Sequence, residues 1–375
     1  MQAPAPFARL RVPFNDLGRA ARQEHDAIAG VLARVARSGW YVLGEELRRF
    51  EAAFAAYVGV AHAVGVGNGT DAIELALRAL RIGPGSDVVT VANAGMYATT
   101  AIRRTGARPV YADVAVPSMN LDVHALEAAL TPSTAAVIVT HLYGRLADAE
   151  AIASVCAARG VPLVEDCAQA HGARRGGRMA GAFGTLACFS FYPTKNLGAL
   201  GDAGAVLTGD GALAARLRAL RQYGWGDKYE VREPGGVNSR LDEVQAAVLA
   251  HRLAALDARN ARRRAIARRY ATSLRHPAIA VPAAGGDDDV VHLYVVRCAQ
   301  RDALRAHLAA CGIGSDVHYP VPDHLQPAYP LSPPPRLPVT ERLAREVLSL
   351  PCFPDLDDAE VDGVIDACHA WRAAA

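Results

Sequence analysis

Apolar residues recur along the chain in two rhythms, and each change of rhythm marks an element. A spacing of three and four predicts helices over residues 20–35, 45–57, 70–80 and 152–159. The clearest carries Ala72, Ile73, Ala76, Leu77 and Leu80 on one face. Between them stand short apolar runs at 63–66, 87–91, 109–111, 136–139, 162–165, 188–191 and 205–207, which read as strands. Strands separated by helical stretches predict an α/β chain with a mostly parallel sheet covered by helices.

The pattern changes near residue 240. Ser239, followed three residues later by Asp242, reads as a helix start, and residues 241–270 then read as one long, arginine-rich helix. A loop at 277–289 precedes a strand at 292–297 and a helix at 302–311. After a proline-rich loop at 319–338 come helices at 339–348 and 358–371. This predicts a large α/β domain over 1–240, including an N-terminal segment, and a smaller α+β domain over 241–375, as two domains would suit 375 residues.

Composition sharpens the picture at one point. Forty basic residues against thirty-eight acidic ones leave a formal charge of +2, so no polycation face for nucleic acid is expected. Only Lys195 and Lys228 among the basic residues are lysines. Arginine replaces lysine well on a surface, but it neither forms an imine nor gives up its proton near neutrality. A lysine kept against that background draws attention to its amine.

The seven cysteines are odd in number and hold no CxxC pair, which supports neither a zinc site nor a disulfide framework and suits a reducing compartment. Residues 1–13 hold no apolar core of a secretory signal, and no apolar run approaches the ~18 residues of a membrane span. A cytoplasmic protein with no membrane partner and no metal is expected.

Three segments carry candidate chemistry. Gly65-Val66-Gly67-Asn68-Gly69-Thr70 lies between a strand and a helix, where backbone N–H groups and the helix dipole suit a phosphate. A dinucleotide fingerprint needs a third glycine where Thr70 stands, so a nicotinamide enzyme is disfavoured. On this segment alone a phosphate cradle and a plain capped turn remain equally open. The apolar run 161–164 delivers Glu165 and Asp166 at the end of a strand, where open α/β sheets place their ligands. Alternation turns these two acids to opposite faces, and an ordinary helix cap is the simpler reading of Asp166 taken alone. Lys195 follows a strand in Phe189-Ser190-Phe191-Tyr192-Pro193-Thr194-Lys195, before several glycines. A phosphate cradle, a carboxylate and a lysine are together what pyridoxal phosphate needs: an amine for a Schiff base and an acid to keep the pyridine nitrogen protonated.

The blocks VPF (12–14), GWYVLGEELRRFE (39–51), GVGNGTDAIELALRAL (65–80), HLYG (141–144) and VEDCAQAHGA (164–173) extend this reading. FSFYPTKNLGALGDAGAV (189–206), GVNSRLDEVQAAVL (236–249) and HYPVPDHLQ (318–326) follow in order. In these blocks the chain resembles the DegT/DnrJ/EryC1/StrS sugar aminotransferases, a branch of the fold-type I pyridoxal phosphate enzymes. The resemblance implies that Lys195 holds the cofactor and acts as acid and base, that Asp166 pairs with the pyridine nitrogen, and that Gln169 lies at the ring hydroxyl. It implies Gly69, Thr70 and Ser190 at the phosphate, with Asn238 reaching the phosphate of a neighbouring subunit, hence a homodimer with shared sites. His171, Tyr192, His318 and Tyr319 are expected at the substrates. The family sets an aromatic residue over the cofactor ring; here direct alignment puts Gly95 at that place and leaves Tyr97 or Met96 to cover the ring.

The implied reaction moves an amino group from glutamate to a nucleotide-linked keto sugar in two half-reactions, hence ping-pong kinetics. Lys195, rather than the histidine of dehydrating relatives, implies transamination. The GWYVLG, HLYG and HYPVPDHLQ blocks point to a dTDP-linked 3-keto-6-deoxyhexose as acceptor. A 4-keto, UDP-linked sugar and a non-enzymatic regulator on the same fold are the rivals.

Overall fold

The computed structural model describes residues 11–373. Seven strands make the central sheet: β1 (His62–Val66), β2 (Asp87–Val91), β3 (Arg108–Ala112), β4 (Thr134–Thr140), β5 (Leu163–Asp166), β6 (Leu186–Ser190) and β7 (Gly204–Thr208). Their order across the sheet is β1-β7-β6-β5-β4-β2-β3. Only β7 runs antiparallel to its neighbours β1 and β6; the other pairings are parallel. The carboxyl ends of β1, β4, β5 and β6 therefore open on one rim.

The strands inside the sheet bury both faces, as a helix-covered sheet requires. Val64, Val66, Ile138, Val164 and Val206 pack with helix Gly69–Ala79 on one side. Ala63, Ala187, Phe189, Ala205 and Leu207 pack with helix Glu45–Val58 on the other. Phe54 is fully buried there, edge-on to the rings of Phe189 and Phe191. Those two phenylalanines flank Ser190, so this packing also fixes the end of β6.

Several elements differ from the sequence reading. Residues 20–35 form parts of two helices, Leu17–Gln23 and His25–Ser38, which meet at Glu24. The long helix expected over 241–270 is also two, Glu243–Leu253 and Leu256–Ser273. The first packs Ala247 and Val248 against Val31 and Val35 and so belongs with the sheet-bearing part of the chain. The second buries Ile266, Ala267 and Tyr270 in a separate core built from later residues. A helix serving two cores must change direction between them, and it breaks at Ala254–Ala255. Residues 339–348 split as well: helix Pro338–Glu346 ends where Val347–Leu350 pairs antiparallel with Tyr294–Arg297. The apolar residues Val347, Leu348 and Leu350 gain more from that buried pairing than from one more helical turn.

The N-terminal segment joins the second core. Val12 is buried in it and bridges to Ile313; residues 1–10 of the segment lie outside the described residues. No helix among the described residues is long and apolar enough to cross a membrane.

Candidate active site

Sheet register assembles the site. Val66 of β1 and Ser190 of β6 both pair with Gly204 of β7, so the turn after β1 lands beside Ser190. Asp166 ends β5, which pairs with β6. A cavity of about 720 Å³ opens there, against the C-terminal part of the chain. Gly69, Thr70, Tyr97, Asp166, Gln169, Ser190, Tyr192, Lys195, His318 and Tyr319 all line it.

Helix Gly69–Ala79 begins at the cavity wall because Asn68 caps it, its side-chain oxygen accepting the Asp71 N–H at 2.9 Å. Gly69 and Thr70 stand in the first turn, whose N–H groups have no partner within a helix. Gly69 must be glycine: a Cβ there would lie 2.6 Å from Ser190 Cβ. Ser239 braces the turn, accepting the Gly67 N–H at 2.9 Å and donating to Asp71 Oδ2 at 2.7 Å.

The two acids of β5 diverge as alternation requires. Glu165 turns away from the cavity and accepts N–H groups from Gly181, Phe183 and Gly184, with His141 Nε2 at 2.9 Å. Asp166 faces the cavity, accepting from the Ala168 N–H at 3.1 Å and the Thr140 hydroxyl at 3.3 Å. Burial raises its pKa, against the pull of the Ala168 N–H and the Lys195 charge. Such a carboxylate gains from a cationic partner.

Lys195 sits in a tight loop after β6, its N–H donating to the Tyr192 carbonyl at 2.8 Å. Burial pushes its pKa down from 10.5 to about 8, and Asp166 partly opposes this. The amine is thereby prepared to act as a nucleophile near neutrality.

Gln169 joins two walls of the cavity. Its side-chain oxygen accepts the Tyr143 N–H at 2.6 Å and its amide donates to the Tyr319 hydroxyl at 3.2 Å. The Tyr143 hydroxyl donates to the His318 carbonyl. His318 stacks on Phe14 with centroids 5.7 Å apart, and its Nδ1 lies 2.9 Å from the Ser349 hydroxyl.

Two of the named site residues do not line this cavity. His171 does not line the cavity: it is fully buried behind the sheet rim, packed against Phe189 and Phe191. Burial, with the charge of Lys195, pushes its pKa down to about 3, so it is held neutral behind the cavity wall. Asn238 is exposed, bridges to Gln222 and does not line this chain's cavity.

The space beside Gly95 is filled from elsewhere in the chain. Gly95 has φ +77°, and a Cβ there would lie 2.8 Å from Tyr319 Cε1. The Tyr319 ring thus occupies the space that a side chain at 95 would need. Tyr97 lines the cavity edge-on to Tyr319, with centroids 6.3 Å apart, whereas Met96 does not line it. Asp323 holds this arrangement, accepting the Met96 N–H at 2.9 Å and the Thr99 hydroxyl at 2.6 Å.

Sequence reasoning missed Ser239, His292 and Asp316. The first braces the glycine turn from 172 residues away, and the other two line the cavity from the C-terminal part. Ser239 lies inside the GVNSR block, which is the one signal that could have found it.

Residues 22–369 match the DegT/DnrJ/EryC1/StrS aminotransferase family. The chain belongs to this family. It is 49% identical over 365 residues to a dTDP-3-amino-3,4,6-trideoxy-alpha-D-glucose transaminase of Streptomyces venezuelae, covering 96% of each chain. It is 48% identical to the erythromycin biosynthesis sensory transduction protein EryC1 of Saccharopolyspora erythraea, covering 96% of this chain and 100% of that one. The crystal structure of S. venezuelae DesV in complex with a ketimine intermediate superposes with a TM-score of 0.93 at 49% identity, covering 96% and 98% of the two chains. The fold is that of the fold-type I pyridoxal phosphate enzymes, and the protein is an aminotransferase.

The cavity fits the family's cofactor. The glycine cradle that a Cβ would fill suits a phosphate, buried Asp166 suits a protonated pyridine nitrogen, and the lowered pKa of Lys195 suits attack on an aldehyde.

Proposed function

We propose that this aminotransferase transfers nitrogen from glutamate to a dTDP-linked 3-keto-6-deoxyhexose, using pyridoxal phosphate held at Lys195. The observation that carries the reading is that Lys195, Asp166, Ser190 and Gly69 line one cavity in a chain 49% identical, over nearly its full length, to a dTDP-3-amino-sugar transaminase.

When bound, the cofactor supplies an electron sink that acidifies the carbon bearing the substrate nitrogen. The chain's own residues do the rest. Gly69, Thr70 and Ser190 anchor the phosphate. Asp166, held by Ala168 and Thr140, keeps the ring nitrogen protonated. Lys195 Nζ would hold the cofactor and, when free, would carry the proton that must leave one carbon and reach another. Gln169 and Tyr319, joined by their hydrogen bond, orient the ring hydroxyl side. Tyr192, half exposed at the cavity mouth, and His318, fixed between Phe14 and Ser349, are placed to meet the sugar. Asn238 reaches the phosphate of a second copy's site in this reading.

Purified protein is expected to aminate a dTDP-linked 3-keto-6-deoxyhexose with glutamate as donor, and the Lys195→Ala variant to lose turnover. Amination of a UDP-linked 4-keto sugar in preference would transfer the reading to that substrate class. Cofactor binding with no amination of any nucleotide-linked keto sugar would favour a regulator.

A further inference from the structure

A chain of buried hydrogen bonds runs beneath the lysine loop, and its direction can be assigned at every step. Asn260, on helix Leu256–Ser273, donates Nδ2–H to the His171 carbonyl at 2.8 Å. Its Oδ1 accepts from Asn196 Nδ2 at 2.9 Å, and Asn196 Nδ2 also donates to the Val290 carbonyl at 3.0 Å. Both amide hydrogens of Asn196 are thus spent, and only Oδ1 remains for His292 Nδ1, 3.1 Å away. An amide oxygen can only accept, so His292 must carry its proton on Nδ1. Turning either amide over would set acceptor against acceptor at a buried site.

All three side chains are buried, and Asn196 follows Lys195 directly in the chain. The relay joins four segments: the turn after β5, the lysine loop, helix Leu256–Ser273 and the strand that follows Val290. His292 lines the cavity as Lys195 does. It stays neutral, because burial and the positive charges of Lys195 and Arg263 lower its pKa well below 6.5, with His171 and His318 acting the same way.

We propose that Asn196 and His292 are positioning residues, which set where the Lys195 amine stands and tie that position to the seating of the C-terminal part against the sheet rim. The inference rests on the aminotransferase reading of Lys195. With the side chain of residue 196 held from both sides, the neighbouring lysine stem starts from one place, and the amine searches less space before meeting its target.

The test compares the cofactor-loaded wild type with His292→Phe, which removes the donor, and His292→Asn, which returns an N–H near the place of Nδ1. The phenylalanine variant is expected to lower kcat about tenfold with the nucleotide-sugar KM within about twofold. It is also expected to move the pH midpoint of the bound cofactor's visible band by about half a unit. The asparagine variant should restore both. Asn196→Leu, which removes both amide hydrogens and the acceptor without adding charge, should reproduce the phenylalanine result and keeps the test decisive if His292→Phe fails to fold. An unchanged midpoint and kcat with only a lower unfolding temperature would reduce the relay to a packing feature and overturn the proposal. A wild type that forms no covalent adduct at Lys195 would instead overturn the reading on which it rests.

Discussion

An amine attacks a carbonyl only after shedding its proton, and an ordinary lysine keeps that proton to a pH of about 10.4. Lys195 does not, since its burial brings the pKa to about 8. Arginine could not serve here, which explains why a chain with thirty-eight arginines keeps a lysine at this point. Attachment of pyridoxal phosphate to cofactor-free protein should therefore quicken as the pH rises through about 8, rather than in the range of an ordinary lysine. Because the charge of Asp166 favours the ammonium form, Asp166→Asn should move that midpoint lower still. Stopped-flow absorbance at a series of pH values checks both; a midpoint near the ordinary lysine value would show that the amine is not desolvated.

The glycine turn and the serine that ends β6 form a matched pair of elements. A Cβ at position 69 meets Ser190 Cβ at 2.6 Å, so Gly69→Ala pushes the helix start away from β6. Overpacking of this kind costs about 1–3 kcal/mol, or roughly five- to 150-fold in cofactor retention if the cradle bears it. Equilibrium dialysis should show that loss; adding Ser190→Gly removes the opposing atom together with the hydroxyl proposed for the phosphate, so the double variant should regain unfolding temperature over Gly69→Ala without regaining cofactor. The strand ends that carry Gly69, Asp166, Ser190 and Lys195 were legible because periodicity finds strands, but their roles came from the family resemblance, since Asp166 alone reads as a helix cap and the glycine turn alone equally well as an ordinary capped turn. The break at Ala254–Ala255 and the strand at Val347–Leu350 were not legible, because a second core assembled from distant parts of the chain decides them. The burial of His171 and the seating of Tyr319 on Gly95 escaped for the same reason: each depends on rings or loops contributed from elsewhere in the fold.

At the scale of the whole molecule, the role proposed for Asn238 requires a second copy of the chain. Asn238 faces outward, beside a hairpin on which Tyr229 and Val231 are exposed by 76% and 62%. Exposed apolar side chains grouped in this way are typical of assembly faces. If Asn238 serves a neighbour, Asn238→Ala and Lys195→Ala chains, each inactive or impaired alone, should complement when mixed and reassembled. Each mixed dimer regains one working site, giving about a quarter of wild-type turnover after random exchange. No recovery in a steady-state assay would show that Asn238 acts within its own chain or not at all.

The contact between Gly95 and Tyr319 carries a consequence for how such a chain can change. The two positions cannot both be large, so a substitution at 95, already strained by its left-handed backbone at φ +77°, also needs 319 reduced first. Mutational routes through this corner therefore have a fixed order, and a library that varies either position alone would miss the viable combinations.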